Sequence, residues 1–195
     1  MIRLCDILSS LFGLLLLSPL FLIVALWIVI DNPGPVFYRQ QRVGKDGKDF
    51  GLLKFRSMRV GADKTSLITV GDRDPRVTRA GYYIRKYKLD ELPQLWNVLK
   101  GDMSLVGPRP EVRRYVDLYT PEQRKVLSVR PGITDYASIE YIDENRLLAQ
   151  SADPDKTYIE EIMPAKIALN MRFINHRTVG EYMKIIFLTI TKIIR

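Results

Sequence analysis

The most apolar part of the chain lies near its N-terminus, where residues 11–30 carry no charge and stand between Asp6 and Asp31. A helix of about 20 apolar residues is long enough to cross the hydrocarbon core of a bilayer. Ser18 and Pro19 interrupt this segment, and a proline inside a helix removes a backbone hydrogen bond and bends the helix. The pattern therefore predicts a membrane helix that is broken at Ser18 and Pro19.

Basic residues on both sides of this apolar segment leave its orientation open. Arg3 precedes the segment, and further cations follow it, namely Arg39, Arg42, Lys45 and Lys48. By this pattern a spanning helix is slightly favoured over a re-entrant helix, which would enter and leave the bilayer at the basic, cytoplasmic side. Both alternatives stay open from the residues alone.

The pattern after the apolar segment predicts a β-hairpin. Residues 36–43 and 50–55 are rich in aromatic and β-branched side chains, which favour strands. Residues 44–48 contain two glycines and three charged residues, a composition typical of a hairpin loop. We therefore expect two antiparallel strands joined by this loop.

Farther along the chain the predicted elements are a loop, helices and an irregular segment. Residues 61–74 are polar and rich in turn formers, which indicates a loop. Residues 111–119 are expected to form a helix, and Thr120 and Gln123 have the spacing of a capping box. The acidic residues 135–155 are expected to be irregular.

A short helix is predicted after residue 91, because apolar residues recur there at helical spacing. They are Leu92, Leu95, Trp96 and Leu99. This face is expected to be anchored to the core. Asp90 would be the N-cap, Pro93 would lie in the first turn, where its missing N–H is tolerated, and Gly101 would end the helix.

The adjacent acids Asp90 and Glu91 have two interpretations. They can cap a helix and complement its dipole. Alternatively, they can bind a divalent cation and supply an oxygen nucleophile, because hard metal ions prefer carboxylate oxygens and neutralise phosphate charge. The residues surrounding the pair must decide between these roles.

Cations are expected close to this acidic pair. Residues 82–87 predict a helix that leads into it, and basic residues precede it at Arg76, Arg79, Arg85 and Lys86. Such a group is typical of a solvated surface, or of a phosphate clamp when carboxylates lie beside it. Arg130, in the rigid turn of residues 129–134, is a further candidate for an anion contact.

The C-terminal segment predicts an amphipathic helix. Its apolar stripe comprises Tyr182, Ile185, Ile186, Thr189, Ile190 and Ile193, whereas Lys184, Lys192 and Arg195 lie off the stripe. This helix can close the core, or it can lie on a bilayer with its basic residues toward the lipid headgroups.

The composition limits which kinds of catalytic and metal-binding site the chain can form. The net charge of +8 favours anionic partners, which include nucleic acid, phospholipid and phosphorylated small molecules. Cys5 and His176 are the only residues of their types, so neither an intramolecular disulfide nor a zinc site of the Cys/His type can form. Glycine-rich dinucleotide and P-loop motifs are absent from the sequence. Catalysis would therefore use carboxylates, Lys, Arg or a metal ion.

Five motifs follow the apolar segment in order: KFRSM at residues 54–58, DPRVT at 74–78, LDELPQLWNVLKGDMS at 89–104, GPRP at 107–110 and VRPGIT at 129–134. Together they resemble the bacterial sugar transferase family. These proteins are monotopic phosphoglycosyl transferases that begin glycan assembly on a polyprenyl phosphate carrier. The resemblance covers nearly the whole chain, which looks like the minimal catalytic core of the family.

The resemblance implies an enzyme that transfers a phospho-sugar from a UDP-sugar to undecaprenyl phosphate, releases UMP and uses Mg²⁺. It implies that Asp90 is the nucleophile and that Glu91 is the magnesium ligand. The further residues implied at the substrate site are Lys54, Arg85 and Arg109. The covalent aspartyl intermediate would divide the reaction of two mutually repelling anions into two steps.

The fold expected from the residues and the resemblance is α+β: a mostly helical, membrane-associated domain with a β-hairpin and an N-terminal re-entrant membrane helix. Residues 1–31 would form the re-entrant helix, broken at Ser18 and Pro19. Residues 32–195 would form a catalytic domain at the cytoplasmic face of the bacterial inner membrane, with a C-terminal amphipathic interfacial helix. The expected partners are a UDP-sugar, polyprenyl phosphate and membrane lipid, without nucleic acid; the oligomeric state stays open, with a homodimer as one alternative.

One segment departs from the family pattern. Residues 135–141 read DYASIEY, whereas many relatives continue Gly-Leu-Ala-Gln-Val-Asn-Gly-Arg at this point. The arginine of that pattern has no counterpart in register, and Arg146 is a candidate replacement. The identity of the sugar therefore stays open.

The rival function is that of a basic, membrane-tethered protein that binds lipid or nucleic acid without catalysis. Such a function would not explain why Asp90 and Glu91 are adjacent.

Overall fold

The structure, a computed structural model, describes residues 1–62 and 74–194. Its fold is α+β, as predicted. The helices, numbered α1 to α10 along the chain, are Ile2–Leu16, Ser18–Asp31, Arg79–Lys86, Gln94–Lys100, Arg113–Val116, Tyr136–Glu140, Glu144–Ala149, Pro154–Thr157, Met163–Asn175 and Val179–Ile194. The strands β1 to β4 are Phe37–Val43, Asp49–Phe55, Ser104–Val106 and Gly132–Thr134.

The strands form two small sheets. β1 and β2 are the predicted hairpin, in which Phe37 lies opposite Phe55 and Val43 lies opposite Asp49. The connecting residues form a short 3-10 turn, Lys45–Gly47. β3 and β4 pair in parallel, with Ser104 opposite Gly132. The predicted loop over residues 61–74 lies mostly outside the described residues.

The N-terminal helices α1 and α2 meet at a bend of 60°. Among the described residues no single helix is long and apolar enough to cross a membrane, whereas these two together meet that criterion. The bend lies at the predicted position, because Pro19 is in the first turn of the second helix and the Ser18 hydroxyl donates to the Leu15 carbonyl at 2.8 Å. The chain therefore forms two helices that meet at an angle here and not one straight helix.

The first helix of this pair is fastened to the rest of the domain by Arg3 and Asp6. The Arg3 guanidinium donates to the carbonyl oxygens of Val98 and Leu99, at 2.6 and 2.9 Å, at the end of α4. The Asp6 carboxylate is buried, and one of its oxygens accepts from the Ser104 hydroxyl at 2.9 Å. The same oxygen accepts from the Leu105 amide at 2.9 Å and the Tyr182 hydroxyl at 2.5 Å.

The far end of α2 is fastened to the same domain. The buried Arg56 guanidinium donates to the side-chain oxygen of Asn32 at 3.1 Å and also to the Asn32 carbonyl. The Asp31 carboxylate accepts from the Ala80 amide at 3.0 Å, at the start of α3. Both ends of the bent pair therefore lie against one domain, while its middle exposes large apolar side chains such as Phe12 and Leu16.

The face of α4 that packs inward differs from the predicted one. Trp96 of the apolar stripe is 54% exposed, and the buried residues are Gln94, Asn97 and Val98. The reason is the exposed backbone of β2: the Asn97 side chain accepts from the Leu53 amide and donates to the Gly51 carbonyl, each at 2.9 Å. A buried polar side chain thus satisfies a strand edge that a leucine could not.

Two predictions in the second half of the chain are corrected. The predicted helix over residues 111–119 is only the single turn of α5, in a segment that proline residues bracket at 110 and 121. Residues 135–155 are not irregular but contain α6, α7 and the first half of α8. Acidic residues there cap helices: Asp135 accepts from the Ser138 amide and Asp153 accepts from the Lys156 amide.

The capping box and the C-terminal helix follow the sequence more closely. Thr120 and Gln123 exchange side-chain to backbone hydrogen bonds at 2.9 and 3.2 Å, ahead of a 3-10 turn. In α10 the predicted stripe buries Tyr182 and Ile185 against Val106 and Phe173. The stripe is only partly buried farther on, because Ile190 is 52% exposed.

Candidate active site

The acidic pair Asp90 and Glu91 lies in a 3-10 turn, Leu89–Glu91, just before α4. The predicted N-cap role of Asp90 is wrong, because α4 begins at Gln94 and no side chain caps it. Lys88 precedes the turn in the left-handed region, with φ of +56°. This abrupt change of direction leaves the Asp90 carboxylate buried rather than bonded to the start of α4.

Two cations hold the Glu91 carboxylate. Lys54, on β2, places its Nζ 3.7 Å from Glu91 Oε1 and 4.0 Å from Asp90 Oδ2. Arg109 binds Glu91 through both terminal nitrogens, with Nη2 2.5 Å from Oε1 and Nη1 3.3 Å from Oε2. A paired guanidinium and carboxylate of this geometry is strong and directional. Two of the four predicted substrate residues, Lys54 and Arg109, therefore contact the predicted catalytic residues.

The surroundings shift the pKa values of the two acids in opposite directions. Burial raises the pKa of Asp90 above its ordinary value, and the Glu91 charge adds to this, although Lys54 opposes both. Burial also acts to raise the pKa of Glu91, but Arg109 and Lys54 outweigh it and hold that pKa well below its usual range. Glu91 is thus a firmly ionised carboxylate, whereas Asp90 is a buried carboxylate with fewer charge partners.

The turn that carries Arg109 is fixed through its backbone. The Gly107 amide donates to the Thr134 carbonyl and the Gly132 amide donates to the Pro108 carbonyl, each at 3.0 Å. A Cβ atom on Gly132 would lie 2.1 Å from the Gly107 nitrogen, so the two chains can approach this closely only without side chains. The position of the guanidinium therefore depends on both glycines.

Two side chains complete the fixation of this turn. The buried Asp135 carboxylate accepts from the Arg109 amide at 3.0 Å, and it also caps α6. Arg42, on β1, donates to the Pro110 carbonyl at 3.0 Å and pairs with Glu111 at 3.5 Å. Asp135 belongs to the segment that departs from the family pattern, and its role here was not predicted.

A cavity of about 450 Å³ opens beside the acidic pair. Its charged lining consists of three carboxylates and six cations. The carboxylates are Asp90, Glu91 and Glu144, and the cations are Lys54, Arg85, Lys88, Arg109, Lys166 and Lys192. The excess of positive charge suits a ligand with more than one phosphate group. The volume falls in the range of small-molecule sites.

Several of these lining residues were missed or placed elsewhere from the sequence. Lys166 is buried in α9 and donates to Glu144 at 2.7 Å, a pairing between distant segments that no local pattern reveals. Lys192 was expected to face lipid headgroups. Lys88 had a local signal, since it directly precedes the acidic pair.

The other predicted cations are distributed differently. Arg85 lines the cavity as implied, but Arg130 is not among its lining residues. Arg130 donates instead to the Gly101 carbonyl at 2.9 Å. Gly101 ends α4, as predicted, and has a φ of +105°. Arg76 pairs with Asp74 at 2.6 Å, so the proposed phosphate clamp is not formed by that group of cations as a whole. Arg146 is exposed on α7 and does not line the cavity either.

The acidic pair is compatible with a magnesium ion. Within residues 1–62 and 74–194, no three His, Cys, Asp or Glu side chains are grouped closely enough to form a metal site by themselves. Mg²⁺ usually binds one or two carboxylates together with substrate phosphate oxygens and water. Asp90 and Glu91, on the wall of a cationic cavity, are a donor set of that kind.

A protein-family model described as "Bacterial sugar transferase" matches residues 1–195. The chain belongs to this family. The match includes every residue of the site described above, so the resemblance carried by the five motifs is confirmed.

Individual relatives agree with this membership. A UDP-N-acetylgalactosamine-undecaprenyl-phosphate N-acetylgalactosaminephosphotransferase from Aeromonas hydrophila is 41% identical over 194 residues, which are 97% of this chain and 42% of the relative. A UDP-glucose:undecaprenyl-phosphate glucose-1-phosphate transferase from Escherichia coli (strain K12) is 36% identical over 194 residues, 96% of this chain and 39% of the relative. The chain thus spans less than half the length of these two proteins.

An exopolysaccharide production protein from Rhizobium leguminosarum bv. phaseoli matches at nearly full length. It is 39% identical over 195 residues, which cover 96% of this chain and 92% of the relative. The match therefore spans almost the whole of this relative.

Proposed function

We propose that the protein transfers a sugar 1-phosphate from a UDP-sugar to undecaprenyl phosphate or a similar polyprenyl phosphate, with release of UMP. The observation that carries this proposal is the buried Asp90 carboxylate, which lies beside Lys54 and the pair Glu91–Arg109 in a cationic cavity. The names of the Aeromonas and Escherichia relatives, which combine a UDP-sugar with undecaprenyl phosphate, support the choice of substrates.

In the proposed reaction an Asp90 oxygen attacks the phosphorus that carries the sugar. The bond from this phosphorus to the bridging oxygen breaks, and UMP leaves with that oxygen and its electron pair. A lipid phosphate oxygen then attacks the same phosphorus, and the Asp90 carboxylate departs. Two steps avoid bringing a nucleotide diphosphate and a lipid phosphate, both anions, together around one phosphorus at the same time.

The surrounding residues supply charge and alignment for this chemistry. Lys54 and Arg109 offset the negative charge that accumulates on the phosphoryl oxygens. The fixed turn that carries Arg109 keeps its guanidinium in place for this role. Glu91 would hold Mg²⁺, which supplies further charge neutralisation when it is bound. Arg85 and Lys88 add positive charge on the same wall.

We also propose that the bent pair α1 and α2 is a re-entrant membrane element at the cytoplasmic face of the bacterial inner membrane. The two ends of the pair are fastened to one domain, through Asp6 and Arg56, while the middle is apolar and exposed. The exposed side chains Met183 and Phe187 on α10 would lie against the lipid as well. This arrangement delivers a lipid substrate to the cavity without moving it through water.

The test is UMP release from a panel of UDP-sugars, measured with and without undecaprenyl phosphate. Continuous release that requires the lipid phosphate is expected for at least one sugar, whereas the Asp90→Asn variant should fall to background. Asp46→Asn, at an exposed position of the hairpin turn, is the matched control and should keep full activity. Binding of lipid without any UMP release would instead favour the non-catalytic function.

A further inference from the structure

The C-terminal helix α10 forms part of the cavity wall. Ile186, Thr189, Ile190 and Lys192 all line the cavity that contains Asp90 and Glu91. The helix is held there by Thr189, whose hydroxyl lies 2.6 Å from the Thr134 hydroxyl on β4. The helix that would contact lipid thus also reaches the site of the proposed reaction.

Part of the cavity lining is apolar, and we call the following residues the apolar wall. Leu92, Leu95 and Leu105 line it together with Ile186 and Ile190. Nucleotide and sugar phosphates have no aliphatic chain to place against such a surface. Since burial of apolar surface favours an apolar ligand group, this wall suits a substrate that carries a hydrocarbon chain.

This apolar wall continues toward the membrane helices. Leu95 lies close to α1, because a Cβ atom on Gly13 would be only 3.2 Å from Leu95 Cδ1. Ile190, which also belongs to the wall, is half exposed. The wall therefore includes one residue next to α1, part of the proposed membrane element, and one residue at the molecular surface.

Resting on the proposed function, we propose that α4 and α10 hold the first isoprene units of the lipid acceptor and that the Lys192 ammonium binds its phosphate. The apolar wall and the Lys192 ammonium, which line the same cavity and come partly from the same helix, match the two parts of this ligand. Lys192 then belongs to the acceptor step, whereas Lys54 and Arg109 serve both steps.

Lys184 offers a matched control on the same helix. It is exposed, lies 3.6 Å from Glu181 and does not line the cavity. A lysine that acts only through attraction to anionic headgroups would have the same effect at either position. In detergent micelles without anionic lipid that general attraction is absent, so a specific role of Lys192 can be measured alone.

The experiment separates the two half-reactions in such micelles. Without acceptor, Lys192→Gln should form the sugar-phosphate adduct from a UDP-sugar as fast as the wild type. With undecaprenyl phosphate, its KM for the acceptor should rise about tenfold, the loss expected for one charge-assisted hydrogen bond. Lys192→Arg should recover most of this loss, and Lys184→Gln should behave as the wild type.

A second pair of variants tests the apolar wall. Ile190→Ser should raise the KM for the acceptor without changing adduct formation, whereas Leu118→Ser, equally exposed but outside the cavity, should change neither. The inference is overturned if Lys192→Gln and Lys184→Gln give the same acceptor KM, or if Lys192→Gln slows adduct formation instead. A wild-type protein that releases no UMP from any UDP-sugar contradicts the proposed function itself, which is a different outcome.

Discussion

At the scale of single residues, Asp90 and Glu91 are sequence neighbours with different surroundings. Glu91 is held by both terminal nitrogens of Arg109 and by Lys54, whereas Asp90 has Lys54 at 4.0 Å. A nucleophile must leave its ground-state partners to attack, and a metal ligand must stay ionised. The structure therefore supports the assignment of the attack to Asp90 and of charge and metal binding to Glu91.

The first prediction concerns Glu91→Gln. The amide is nearly the same size but carries no charge, so it loses the ion pairs with Arg109 and Lys54 and most of its affinity for Mg²⁺. We expect UMP release to fall by about a hundredfold or more, given that charged hydrogen bonds contribute about 1.5–3 kcal/mol each. The Mg²⁺ concentration needed for half-maximal rate should rise as well. Unchanged magnesium dependence would contradict the assignment of Glu91 as ligand.

Residue identity in the site was partly predictable from the sequence. Asp90, Glu91, Lys54, Arg85 and Arg109 were implied by the family resemblance, and all of them line the cavity. Arg130 also lies in a motif, but it bonds the end of α4. Arg130 therefore makes a structural contact, which a sequence pattern cannot distinguish from a contact with an anion.

At the scale of elements, the sequence pattern predicted the hairpin and the bend, because interactions between residues close in the chain determine both. The hairpin and its register follow from side-chain pattern and turn residues, and the bend follows from Pro19. The inward face of α4 could not be predicted, since Asn97 faces inward to satisfy the backbone of β2. The short helices α6 to α8 likewise depend on caps such as Asp135, whose second partner, the Arg109 amide, is distant in sequence.

The second prediction concerns the buried Asp6, which joins α1 to β3 and α10. Asp6→Ala removes the acceptor for Ser104, Leu105 and Tyr182 and leaves their polar groups buried. Because each buried unsatisfied group costs about 1–3 kcal/mol, the free energy of unfolding should fall by about 3 kcal/mol or more. Denaturant titration in detergent micelles measures this change.

A graded control accompanies this variant. Tyr182→Phe removes only one of the three donors and should cost about 1 kcal/mol. If Asp6→Ala is no more costly than Tyr182→Phe, the carboxylate does not fasten the three elements together.

At the scale of the whole molecule, the position of the two ends of the helix pair is the observation that supports the proposed re-entrant topology. The sequence pattern slightly favoured a spanning helix, but Arg3 and Asp6 at one end and Arg56 at the other contact the same domain. These contacts join segments far apart in the chain, and therefore charge counting along the sequence could not reveal them. A domain that holds both ends favours entry and exit at one membrane face.

The third prediction is that both ends are labelled from the same side. In a Cys5→Ser background, Leu4→Cys and Lys45→Cys should react with a membrane-impermeant thiol reagent from the cytoplasmic side of inverted vesicles. Leu16→Cys, next to the bend, should react only after detergent is added. Labelling of Leu4→Cys and Lys45→Cys from opposite sides would refute the re-entrant arrangement.

The most direct test of the central claim is the intact mass of the protein after incubation with UDP-sugars and Mg²⁺ in the absence of acceptor. The account predicts an added mass of one sugar phosphate, located by fragmentation on Asp90, absent from Asp90→Asn and lost when undecaprenyl phosphate is added. An adduct on another residue, or UMP release that persists in Asp90→Asn, would contradict it.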